Sequence, residues 1–133
     1  MKIDDPSLRP KPARITGIRH VFAAAGYSIG GIRRLWKEAA FRHIVLAFAV
    51  VLAVLVAIGA SWTQISIFLL LFLALVAVEA LNTAIECIVD HLAPNWQEFA
   101  RDAKDLGSLA TMCILFANGL FLGTVLLQHF AII

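Results

Sequence analysis

Three apolar blocks organise the chain. Ile44 to Ala60 holds no charged residue, and the break Ser61-Trp62-Thr63-Gln64 separates it from a second run that continues to about Leu92. A third begins near Leu106 and reaches Ile133. A helix needs about 20 residues to cross a hydrocarbon core of about 30 Å. The blocks therefore predict spans at about 41–60, 65–92 and 106–130, with Phe41 to His43 extending the first into the interface. Ahead of them, residues 15–38 set Ile18, Val21, Phe22, Ala25, Ile29, Ile32, Leu35 and Trp36 among Arg19, Arg33, Arg34 and Lys37. Most of these apolar positions recur at three or four residues, the spacing of one helical face, which predicts an amphipathic surface helix with a break at Gly30-Gly31. Trp96 to Lys104, after the helix-stopping Ala93-Pro94, reads as a second, short interfacial helix. Residues 1–14 are polar, carry Pro6, Pro10 and Pro12, and lack the apolar core of a secretory signal. They are expected to form a disordered or loosely attached cytoplasmic tail, leaving residues 15–133 as one domain. The predicted fold is an all-α membrane protein: an N-terminal amphipathic surface helix plus three transmembrane helices.

Composition strengthens this reading. Of 133 residues, 61% are apolar and 15% charged, and a soluble globule of this size has too much surface to hide so apolar a chain. All 11 lysines and arginines lie before the first apolar block at Ile44 or between the second and third spans. Basic residues stay on the cytoplasmic side, so the N-terminus is expected in the cytoplasm, Trp62 at an outer turn, Pro94 in a cytoplasmic loop and the C-terminus outside. Cys87 and Cys113 show no metal-ligand spacing and read as reduced thiols. No Walker A pattern or zinc signature is present. Neither a nucleic-acid partner nor a protein partner other than further copies of the chain is expected.

One feature resists a purely structural reading. Glu79, Asn82, Glu86 and Asp90 fall on one narrow stripe of the second span, at about 0°, −60°, −20° and +20° around a helix of 100° per residue. An acidic side chain at bilayer depth costs on the order of 3 kcal/mol. Two glutamates then approach the whole net stability of an ordinary domain, about 5–15 kcal/mol. Hydrogen-bonding glue between helices can come from Ser, Thr or Asn at lower cost, so the glutamates point to function. The deeper one suits a general base, and the shallower one suits a hard divalent cation. Lys104 and Asp105 sit near the start of the third span, where exposed N–H groups favour anions. A phosphate-binding lysine with a metal-binding aspartate makes sense there; a lysine that only anchors the inner side is the alternative.

These residues also carry a resemblance. Val78-Glu79-Ala80-Leu81-Asn82-Thr83-Ala84-Ile85-Glu86-Cys87-Ile88-Val89-Asp90 is similar to the VE-x-LN-[ST]-AIE-x-VVD signature of the prokaryotic integral-membrane diacylglycerol kinases, and Ala103 to Ser108 resembles their AKD-x-GSA motif. Ala25-Gly26-Tyr27-Ser28 and Glu38-Ala39-Ala40-Phe41-Arg42 match their AGYS and EAAFR segments, although the interval from Tyr27 to Glu38 is one residue shorter here. The resemblance implies a homotrimeric bundle in the bacterial inner membrane that moves the γ-phosphate of ATP, with Mg2+, to the hydroxyl of diacylglycerol. It implies Glu79 as the base acting on the lipid and Glu38 and Glu86 as metal ligands. Asn82, Lys104 and Asp105 would contact or organise the nucleotide, and Tyr27 and Ser28 would line the site. Apart from the resemblance, three helices can hardly enclose so many polar groups, whereas nine can. Gly119-xxx-Gly123 with Asn118 offers a face for such assembly, or for packing within one protomer. Two other functions compete: an undecaprenol kinase on the same scaffold, and a small ion-coupled transporter. The transporter predicts acidic residues on more than one span, yet the first span has none, and it leaves Lys104 and Asp105 idle.

Overall fold

Four helices follow one another: α1 (Ile18–Leu35), α2 (Ala39–Ala57), α3 (Trp62–Leu92) and α4 (Glu98–His129). They are seen in a computed structural model that describes residues 17–130; the tail expected over 1–14 lies outside the described residues. The chain forms two units, one ending at Ile32 and the other covering Arg33–Ile133. In the first, α1 runs on through Gly30 and Gly31 without the expected break. The second holds the three helices long and apolar enough to cross a membrane.

Local chemistry explains the turns. Val56 and Leu55 accept from the N–H groups of Gly59 and Ala60 at 3.1 and 2.9 Å, closing α2 in a Schellman motif. That motif needs a left-handed residue, and Gly59 supplies it with φ 72°. The break at Ser61–Gln64 is a capping box: Ser61 Oγ accepts from the Gln64 N–H at 3.2 Å, and Gln64 Oε1 accepts from the Ser61 N–H at 2.8 Å. The second span accordingly opens at Trp62 rather than Ile65.

Beyond the loop at Pro94 the structure corrects the sequence reading. Trp96 to Lys104 is not a separate helix; from Glu98 it is continuous with the third span in one helix of 32 residues, about 48 Å long. Ala100 to Lys104 pack this first stretch against the end of α3, where Val89, Ala93 and Ala100 form a small core. A second core, of Leu55, Phe68 and Val125 with Phe48 packed against it, joins α2, α3 and α4 at the other end. Between these two apolar clusters α3 packs chiefly along α4, and the polar stripe lies in that stretch. Trp62 and Trp96 stand exposed at opposite ends of α3, as interfacial aromatics do.

Candidate functional site

The α3 stripe faces α4. Among the described residues the buried polar side chains are Glu79, Asn82 and Thr83, and Glu79 is only 5% exposed. Thr111 Oγ1 on α4 donates to Glu79 Oε2 at 3.3 Å. One turn along, Asn82 Nδ2 donates to Glu86 Oε1 at 3.2 Å. Asn82 Oδ1 is buried with no partner among the described residues. Opposite it stands Gly107, where any Cβ would collide with the Asn82 carboxamide. The absent side chain there is what lets the two helices close over the stripe.

Glu38, Glu79, Asn82, Glu86, Ser108 and Thr111 line one cavity of about 370 Å³. Glu38 arrives from the corner between α1 and α2. It is the N-cap of α2 yet makes no side-chain bond to that helix; its Oε1 accepts from Arg34 Nη1 instead. Arg34 also donates to Cys87 Sγ at 3.3 Å. The hydrogen bond to Glu38, assisted by Cys87, raises Arg34 above its ordinary pKa and keeps it charged.

A second cavity of about 370 Å³ lies where α3, the Pro94 loop and α4 meet, lined by Asp90, Trp96, Gln97, Lys104 and Asp105 among others. There Lys104 Nζ pairs with Asp90 Oδ1 at 2.5 Å. The candidate residues thus divide: Glu38, Glu79, Asn82 and Glu86 gather in the first cavity, and Lys104 and Asp105 in the second. Tyr27 and Ser28 lie on α1 in the separate amino-terminal unit, where Ser28 Oγ donates to the Ala24 carbonyl at 3.1 Å.

Among the described residues no three His, Cys, Asp or Glu side chains gather as a metal cluster. Glu38 and Glu86 form a pair on one cavity. Two carboxylates on one cavity suit a hard divalent cation whose remaining ligands are waters and substrate phosphates. Thr111, Gly107 and Arg34 carry structural roles that the motifs did not assign. Lys104, Gly107, Ser108 and Thr111 follow at i, i+3, i+4 and i+7, one face of a helix. That signal was available for Thr111, whereas nothing local marked Arg34.

Residues 26–126 match the family model described as prokaryotic diacylglycerol kinase. A protein named diacylglycerol kinase from Sinorhizobium sp is 49% identical over 84% of this chain and 82% of its own length. Its namesake from Escherichia coli (strain K12) is 36% identical over 86% of this chain and 95% of its own. The one from Pseudomonas aeruginosa is 33% identical over 84% and 92%. The matched segment takes in every candidate residue from Tyr27 to Asp105, and with it the chain belongs to the prokaryotic diacylglycerol kinase family.

Proposed function

We propose that the chain is an ATP-dependent lipid kinase that phosphorylates diacylglycerol to phosphatidic acid at the cytoplasmic face of a bacterial inner membrane. The observation that carries this reading is Glu79, buried beside Thr111 in the cavity that also presents Glu38 and Glu86. Glu79 Oε2 is held by Thr111, which leaves Oε1 to take the proton of the lipid hydroxyl. As that proton leaves, the hydroxyl oxygen bonds to the γ-phosphorus, the bond from phosphorus to the bridging oxygen breaks, and ADP departs. Phosphoryl transfer asks for positioning, positive charge and a base rather than covalent chemistry. Mg2+, bound with ATP, would neutralise charge on the transferring phosphoryl group, and Glu38 and Glu86 would hold it. Asn82 steadies Glu86, as its 3.2 Å bond suggests. Lys104 and Asp105 would organise the phosphates from the loop cavity, Lys104 exchanging Asp90 for an anionic oxygen. Tyr27 and Ser28 are assigned to the nucleotide and the lipid by their motif.

The same reading makes residues 15–133 one kinase domain, α1 an amphipathic surface helix, and the working form a homotrimer with its N-terminus cytoplasmic and C-terminus periplasmic. Support for assembly comes from Gly119 and Gly123: at each, nothing lies within 4 Å of the position a Cβ would take. Among the described residues, space for a neighbouring helix remains at both positions, although Asn118 on the same stretch donates to the Leu71 carbonyl of α3 at 3.4 Å. Purified protein in micelles, given MgATP and a lipid alcohol, is expected to phosphorylate diacylglycerol strongly and undecaprenol weakly. Labelled phosphate appearing in neither lipid would sink the kinase reading, and the reverse preference would favour the polyprenol acceptor.

A further inference from the structure

We infer that Arg34 is a positioning residue for the cation end of this site, holding the Glu38 carboxylate on the cavity it shares with Glu86. The inference rests on the proposed kinase reading for the identity of the cation. Its basis is a contact between three segments of the Arg33–Ile133 unit. Arg34 lies in the last turn of α1, Glu38 caps α2, and Cys87 follows Glu86 on α3. One arm of the Arg34 guanidinium binds Glu38 Oε1 and the other reaches Cys87 Sγ. The planar fork of an arginine fixes two such directions at once; a lysine ammonium does not. Glu38 is thereby tied to the turn of α3 that carries Glu86.

Three details favour positioning over a surface ion pair. Glu38 makes no side-chain bond to the helix it precedes; its carboxylate is turned to Arg34 and lines the cavity instead. The corner beneath it is braced as well, because Arg42 Nη1 donates to the carbonyls of Trp36 and Lys37 at 3.0 Å each. The pattern also repeats along the site. Glu38, Glu86 and Glu79 each have one oxygen held, by Arg34, Asn82 and Thr111 in turn. Among the described residues the second oxygen of each has no side-chain partner, which leaves Oε2 of Glu38 and of Glu86 for a ligand. Arg34 and Glu38 are both partly exposed, so solvent screens the guanidinium's repulsion of a cation, and orientation of the carboxylate is the larger effect.

The test uses the full chain in micelles. Mn2+ binding is read by electron paramagnetic resonance with a non-hydrolysable ATP analogue, beside kcat, the KM for diacylglycerol and a circular dichroism check of folding. Arg34→Met is expected to weaken Mn2+ binding about tenfold, the size seen when a residue supporting a metal ligand is removed. The cation concentration for half-maximal turnover should rise in parallel, and the KM for diacylglycerol should stay within about twofold. Arg34→Lys, which keeps the charge but loses the fork, should recover part of the loss. Mn2+ affinity unchanged or tighter in Arg34→Met overturns the inference; if that variant does not fold, an unchanged affinity in Arg34→Lys does so. Wild-type protein that binds Mn2+ but makes no phosphatidic acid would refute the kinase reading while leaving the Arg34 comparison intact.

Discussion

Glu79 is the proposed base, and its surroundings show how a carboxylate is kept in an apolar groove. It is buried against α4, with a single hydroxyl, that of Thr111, on one oxygen. General-base catalysis is worth about 10²–10⁴ in rate. Glu79→Gln, which keeps size and can still accept from Thr111, is expected to lose turnover by that range while folding normally. Full turnover in a folded Glu79→Gln protein would remove it from the role. Gly107 is important for a different reason. A methyl there would meet Asn82, whose carboxamide also donates to Glu86. Gly107→Ala is expected to cost about 1–3 kcal/mol through overpacking, seen as a lower melting temperature, with a loss of turnover larger than that destabilisation explains. Wild-type stability and rate in this variant would mean that the helices separate there at no cost.

At the scale of elements, α3 and α4 are both longer than a bilayer requires, with 31 and 32 residues against the about 20 that span it. The surplus on α4 is its first stretch, from Glu98 past Lys104, and its continuity with the membrane-crossing part gives Lys104 a rigid mount facing Asp90. A proline inside a helix removes one hydrogen bond and clashes with the preceding turn, at about 3 kcal/mol or more. Ala103→Pro is therefore expected to lower the melting temperature and abolish phosphorylation. An active, stable Ala103→Pro protein would argue for a hinge there.

The whole molecule is defined by its solvent. Long apolar side chains stand exposed along all three long helices, Leu46, Leu70 and Leu120 among them, which suits lipid or neighbouring copies of the chain. The basic residues Lys37, Arg42, Arg101 and Lys104 belong to the α1–α2 corner and the start of α4, while the Ser61 turn has none. Alkaline phosphatase fused after Ile133 is expected to be active in cells, and the same enzyme placed in the Pro94 loop inactive, because only the periplasm supports its folding. Activity in the reverse pattern would invert the proposed orientation.

The number of spans was legible in the sequence because it follows from local composition: an apolar run of sufficient length has only one stable solution in lipid. The α3 stripe was legible too, since helical periodicity alone sets Glu79, Asn82 and Glu86 on one face. The motifs marked Glu38 as well, but not that Arg34 would hold its carboxylate. Spacing along one helix carries no information about which side chain of another element will meet it. Tertiary structure therefore decided that Thr111 holds Glu79, that Gly107 makes room for Asn82, and that Lys104 pairs with Asp90. It also decided that α4 runs unbroken past Lys104. Helix continuity there depends on Ala100 and Ala103 packing against the end of α3, a contact between residues that local hydropathy reads separately.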